Sequence, residues 1–252
     1  MNYLTYGKKE HKSIVLIHGM ASEALKCYAP LLAYLKDYYV VLVGTDGHIP
    51  GDEGTLLSLS DACSDIERYI REELNNEVYC LGGFSMGATM AVEIAGRNHV
   101  TIHKLFLDAA FLVDMGPLLT KLYTSVFCFF IEWIKKGGTV PGPLLDSFMG
   151  KGNRAIIELM YDKVQKETIR NVCTYVYHYH IHEEIREFKG DALFIYGSHE
   201  PYPKKSAQLL SSFLTSLERA EIKDMGHGQF LHSKPDAYAE LLVSFLTGRE
   251  TQ

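Results

Sequence analysis

The chain has little excess charge of either sign. Its 252 residues carry 25 lysines and arginines against 31 aspartates and glutamates, a formal net charge of −6. Such mild acidity argues against a nucleic-acid partner, which needs a basic face, and no block of like charge marks an interaction tail. Cysteine is sparse. Cys27, Cys63, Cys80, Cys128 and Cys173 are odd in number, widely spaced and without a C-x-x-C pair. That argues against a disulfide framework and predicts reduced thiols in a cytoplasmic protein. Residues 1–7 show no basic region followed by an apolar stretch, so no signal peptide is expected. The most apolar segment, 118–134, contains Lys121 and Glu132 and is short for a membrane span of about 20 residues. It predicts a buried or lid helix and no stable membrane insertion. Neither a Walker A loop nor G-x-G-x-x-G is present, so no nucleotide cofactor is implied.

What is present is the alternation of a globular α/β chain. Apolar residues make up 47%, enough for one large core. Short apolar runs at 13–17, 39–43, 78–81, 104–107 and 192–196, with a weaker one at 220–222, predict strands. Segments 25–35, 58–74, 86–95, 203–217 and 234–246 predict helices, the second started by Ser58 and Asp61. Near-continuous apolar strands separated by helices predict a mostly parallel central sheet covered on both faces. The alternation lapses once, between Asp108 and Ala192. Residues 1–110 and 190–252 therefore read as one body, and 111–189 as a mostly helical cap insertion with breaks at Gly137-Gly138 and Pro141-Gly142-Pro143.

The run at 78–81 leads into Gly82-Gly83-Phe84-Ser85-Met86-Gly87, and a helix follows. Gly83-x-Ser85-x-Gly87 fits a nucleophile elbow. A serine on a sharp, strained strand-to-helix turn exposes its hydroxyl above the sheet edge, and the glycines let strand and helix approach closely. The helix N-terminus behind it favours developing negative charge.

With His18-Gly19, this elbow, Gly197-Ser198-His199-Glu200 and Gly226-His227-Gly228, the chain resembles the α/β-hydrolase fold family over nearly its whole length. The resemblance implies the oxyanion donors: the backbone amide after the nucleophile, at Met86, and the amide past the His-Gly pair, at Met20. It puts the general base at His227. It also puts the acid three residues past the glycine that ends the penultimate strand, where Glu200 stands in place of the more usual aspartate. Asp108 is the competitor, because some relatives supply the acid at the end of an earlier strand. Asp224 reads as structural.

Other signals carry less. His178, His180 and His182 alternate, but Arg186 stands where the second histidine of H-E-x-x-H would be. A solvated or cap-packing cluster is expected, and no metal. Asp46-Gly47-His48 reads as a structural turn near the site mouth. The aromatic run 123–130 with Trp133 reads as a lid lining an apolar acyl pocket, as a cap helix packed on the body, or as a homodimer contact. Gly137 and Gly138 serve as hinges or end that helix.

Together these readings predict a serine hydrolase acting without a cofactor on a carboxylic ester, or a related acyl bond, of a small apolar substrate. Lactonase, thioesterase, lipase and C–C bond hydrolase chemistry use the same groups. A hydrolase-fold ligand receptor with slow or no turnover is the alternative of another class.

Overall fold

The computed structural model describes residues 1–51, 54–139, 142–143 and 164–248. Among the described residues seven strands form one sheet: β1 (Asn2–Tyr6), β2 (Ser13–Ile17), β3 (Tyr39–Gly44), β4 (Glu77–Phe84), β5 (Thr101–Asp108), β6 (Asp191–Gly197) and β7 (Leu217–Ile222). Their spatial order is β1-β3-β2-β4-β5-β6-β7. Only β1 runs antiparallel, pairing with β3 from Asn2 opposite Gly44 to Tyr6 opposite Val40. All the other pairs are parallel, so the carboxyl ends of β2 to β7 share one edge. The strand order reverses between β3-β2 and β2-β4. A crevice opens above the carboxyl ends at such a switch point.

The central strands are buried on both faces, which explains their unbroken apolar runs. Alternate residues feed two cores. Val15, Ile17, Val41, Leu81 and Leu105 belong to one. It is covered by α2 (Leu59–Glu73) and α3 (Met86–Arg97). Ile14, Leu16, Leu42, Phe106 and Ile195 belong to the other, packed with Leu242 and Phe245. The short α1 (Ala24–Tyr28) and α8 (Pro235–Thr247) lie on that side. Ser58 starts α2 as expected, its hydroxyl accepting the Asp61 amide at 3.1 Å.

Two expected helices change length for local reasons. The one expected at 25–35 ends at Tyr28 and continues only as the 3-10 turn Ala29–Leu31, because Pro30 has no amide to extend it. The one expected at 203–217 is α6 (Pro201–Leu210). Pro201 is tolerated at its first turn, and Leu217 opens β7 instead. β1 was not expected, because its half-buried edge position leaves it without an apolar run.

Between β5 and β6 the described residues include α4 (Gly116–Lys135), α5 (Lys166–Tyr177) and a 3-10 turn at Glu183–Glu187. Helix α4 packs on α5. The Met115 amide donates to the Tyr177 carbonyl at 2.8 Å where the pair meets the body. The helix extends past 118–134 at both ends to 20 residues, and by length and composition it is long enough to cross a membrane. It buries Thr120, Cys128 and Ile131 but exposes Leu118, Leu122, Phe129 and Trp133. Gly137, at φ +79°, ends it, with the Gly137 and Gly138 amides donating to Ile134 and Trp133. The break expected at Pro141, and residues 144–163, lie outside the described residues.

Candidate active site

Ser85 occupies the turn between β4 and α3 with φ 55° and ψ −114°, a conformation L-residues adopt only under constraint. The constraint is visible. The Ser85 amide donates to the Asp108 carbonyl at 2.8 Å, and its own carbonyl accepts from Thr89 at 3.0 Å. A Cβ on Gly87 would run into the Ile17 carbonyl, and one on Gly83 into the Gly87 carbonyl. The two glycines thus let α3 start directly against β2 and β4. That is the close approach the elbow pattern predicts.

Three side chains from three loops meet there. His227 Nε2 lies 2.9 Å from Ser85 Oγ, and His227 Nδ1 lies 2.6 Å from Glu200 Oε1. Glu200 is buried, and its second oxygen accepts the Gly197 amide at 2.5 Å. Both carboxylate oxygens are therefore occupied, which fixes the direction of the carboxylate. The rings of Phe84 and Phe111 flank the imidazole at centroid distances of 4.9 and 5.6 Å and restrict it to this orientation.

Asp108 is not brought to His227 by any hydrogen bond among the described residues. Its carboxyl is buried, and Oδ2 has no partner among them. Burial pushes its pKa well above the usual carboxylate range; Glu200 nearby adds to the shift, and the Tyr238 hydroxyl opposes it. Asp224, also at positive φ, donates its amide to Ser198 Oγ at 2.9 Å.

His18 helps fix the peptide that carries the Met20 amide. Its Nδ1 lies 2.7 Å from the Gly19 carbonyl, and its Nε2 lies 3.2 Å from the Thr45 amide. An amide can only donate, so Nε2 accepts and the ring is the neutral Nδ1–H tautomer. Ser22 Oγ also donates to the Gly19 carbonyl, at 2.8 Å. In a trans peptide the N–H points opposite to the C=O. Tying down the Gly19 oxygen therefore turns the Met20 amide the other way. Among the described residues neither the Met20 nor the Met86 amide donates to a protein acceptor, and both residues line the cavity above Ser85.

Burial lowers the His18 pKa to about 4, and it also holds His48, 5.0 Å away ring to ring, well below the usual imidazole value. The unfolded chain protonates His18 near pH 6.5, whereas the folded chain resists until about pH 4. Stability is therefore full above pH 6.5 and falls as pH drops towards 4, by about 3 kcal/mol for a histidine displaced this far. Measured in Asp108→Asn, which removes the opposing titration of that buried carboxyl, a melting-temperature series is expected to begin falling near pH 6.5 as the pH is lowered. A flat series from pH 7 to 5 would contradict it.

The cavity measures about 230 Å³. Its floor is Ser85, Met86 and His227, and Phe127, Val172, Val176 and Tyr177 from α4 and α5 line it too. Tyr123 and Phe127 do line the cavity, while Phe129 and Trp133 face outwards. His199, Tyr202 and His232 also line it. Nothing in the local sequence marks Tyr202 or His232, since the chain path brings them there.

The alternating histidines divide between two carboxylates. His178 and His180 lie 2.9 and 3.6 Å from Asp114, and His182 lies 2.9 Å from Glu93. Among the described residues no three metal-ligating side chains converge. In the Asp46-Gly47-His48 turn, Gly47 has φ +73° and packs against Thr168 of α5. His48 is buried, with Nδ1 3.0 Å from Thr45 Oγ1.

A family model described as "Alpha/beta hydrolase family" matches residues 14–241. No curated protein matches. Among solved structures, the chain is similar to an alpha/beta hydrolase family protein from Desulfitobacterium hafniense, with TM-score 0.84 and 21% identity over 97% of this chain and 100% of that one. It is similar to the enol-lactonase from Burkholderia xenovorans LB400, with TM-score 0.76 and 19% identity over 98% and 96%. It is also similar to an esterase from Exiguobacterium antarcticum, with TM-score 0.75 and 18% identity over 97% and 94%. At such identities the likeness is one of fold.

Proposed function

Because the chain belongs to the alpha/beta hydrolase family, we propose that it is a serine hydrolase cleaving a carboxylic ester, or a related acyl bond, of a small and largely apolar substrate. Ser85 Oγ attacks the carbonyl carbon and passes its proton to His227 Nε2. Glu200 holds the Nδ1–H side of the ring and stabilises the imidazolium. The Met20 and Met86 amides receive the oxyanion. His227 then returns the proton to the leaving oxygen, and the same groups activate a water that releases the acyl chain.

The observation that carries this reading is the hydrogen-bonded chain from Glu200 through His227 to Ser85 at the cavity floor. The esterase and lactonase among the similar folds support acyl chemistry. A lactone is an internal ester and needs the same steps. The apolar lining from α4 and α5 supports short-to-medium acyl chains. The five cysteines, all free and buried, support a reducing compartment, and the reading keeps the cytoplasmic location.

A fluorophosphonate probe with a series of p-nitrophenyl esters tests the reading. Labelling at Ser85 and turnover of uncharged acyl chains are expected. Absence of both favours a ligand receptor, and a preference for charged acyl groups contradicts the apolar pocket.

A further inference from the structure

The cavity above Ser85 has polar as well as apolar lining. Against the aliphatic and aromatic lining from α4 and α5 stand two imidazoles besides His227, those of His199 and His232. His199 is exposed, whereas His232 is half-buried on α7 (Gln229–Ser233), the short helix that follows His227. The His232 ring stands edge-on to Phe84, with centroids 6.2 Å apart at 90°. The same Phe84 ring packs on His227, so one aromatic side chain borders both imidazoles.

The His18, His48 and His227 rings are each tied to protein groups. Among the described residues the His232 ring has no hydrogen bond to a protein group, and its nitrogens are not sealed in the interior. Burial, assisted by the neighbouring His227, lowers its pKa to about 4. At neutral pH it is uncharged, with one nitrogen donating and the other accepting. A partly desolvated donor–acceptor pair without a partner is a cost in the free protein that a bound hydroxyl recovers.

The reaction sets which half of the substrate His232 meets. His227 hands its proton to the leaving oxygen, so the leaving alcohol lies on the His227 side of the reacting carbon. His232 shares the Phe84 ring with His227, which assigns it to that side, while α4 and α5 offer the acyl chain an apolar lining. We propose that His232 binds a hydroxyl carried by the alcohol half of the ester, so that the preferred substrates are apolar acyl esters of polyhydric alcohols. The inference rests on the serine-hydrolase reading. The serine oxygen replaces the ester oxygen on the acyl carbon, the alcohol leaves with its second hydroxyl intact, and water then releases the acid.

The test uses three esters: ethyl butanoate, 2-hydroxyethyl butanoate, and ethyl 3-hydroxybutanoate with its hydroxyl on the acyl half. For the wild-type chain, kcat/KM on the 2-hydroxyethyl ester is expected to exceed that on the ethyl ester by about tenfold, mainly through KM. His232→Phe keeps the ring but removes both nitrogens, and it is expected to bring the ratio close to one. His232→Gln is expected to restore part of it. A purely structural role of His232 would change rates on both esters together and leave the ratio alone. A wild-type ratio near one, an undiminished ratio in His232→Phe, or a preference for the acyl-side hydroxyl overturns the proposal. The wild-type comparison stands even if the variants fail to fold. If no ester is turned over and Ser85 takes no fluorophosphonate label, the serine-hydrolase reading falls and this inference with it. Labelling and turnover with a flat ratio sink the inference alone.

Discussion

Ser85→Ala is expected to lower kcat for p-nitrophenyl esters on the order of 10⁶-fold and to abolish fluorophosphonate labelling, with the fold retained. The loss is large because in the proposed reaction the Ser85 hydroxyl, 2.9 Å from His227 Nε2, is the atom that bonds the acyl carbon. Retention of the fold follows from the backbone. Ser85 sits at φ 55°, and Ala21 and Ala109 already occupy φ 56° and 54° in the same chain, so alanine is compatible with that region here. The amides that lock the turn are backbone groups, and substitution leaves them in place. Binding of a substrate or product is expected to persist, since the cavity walls are unchanged, and calorimetric titration with a slowly hydrolysed ester would measure it. Turnover within a hundredfold of wild type would remove Ser85 from the mechanism.

What could be read beforehand had a local cause. The elbow is legible because a serine forced to positive φ between a strand and a helix needs small residues on both sides, and Gly83 and Gly87 supply them within five positions. The parallel sheet is legible because strands buried on both faces are apolar throughout. Glu200 is legible only through its position after Gly197. Its burial and two-sided hydrogen bonding come from the β6–α6 loop folding back on the loop that carries His227. The positions of Phe84, Phe111, His199 and His232 around the cavity arise from chain crossings remote in sequence, and no spacing rule encodes those. Strand β1 escaped for a different reason. An edge strand with one neighbour is half-buried, so its mixed polarity resembles a loop. The hydrogen bonds of His18 were likewise hidden, although the His18-Gly19 pair itself was visible.

The second large effect separates the two carboxyl groups near the site. Glu200→Gln is expected to lower kcat on the order of 10⁴-fold, whereas Asp108→Asn is expected to stay within about tenfold of wild type. Glutamine keeps an oxygen for the Gly197 amide, so the loop has no reason to unfold. Its amide group, however, donates to Nδ1 where the carboxylate accepts. That favours the tautomer with the proton on Nε2, which cannot take the proton of Ser85, and it leaves the imidazolium without a counter-charge. Asp108 differs in each respect. It makes no hydrogen bond to His227 among the described residues, and its contribution to the elbow is a backbone carbonyl that asparagine retains. Its raised pKa also gives a signature in stability. The folded chain keeps a proton that the unfolded chain releases above about pH 3.9, so the wild type loses stability as pH rises from there towards the folded pKa. Asparagine cannot titrate and escapes that loss. The melting temperature of Asp108→Asn relative to wild type is therefore expected to rise between pH 5 and pH 8, while Glu200→Gln is recognised by its kcat. Should Asp108→Asn instead lose the several orders of magnitude while Glu200→Gln stays active, the acid is Asp108, and the 2.6 Å contact of Glu200 with His227 is not the one used in catalysis.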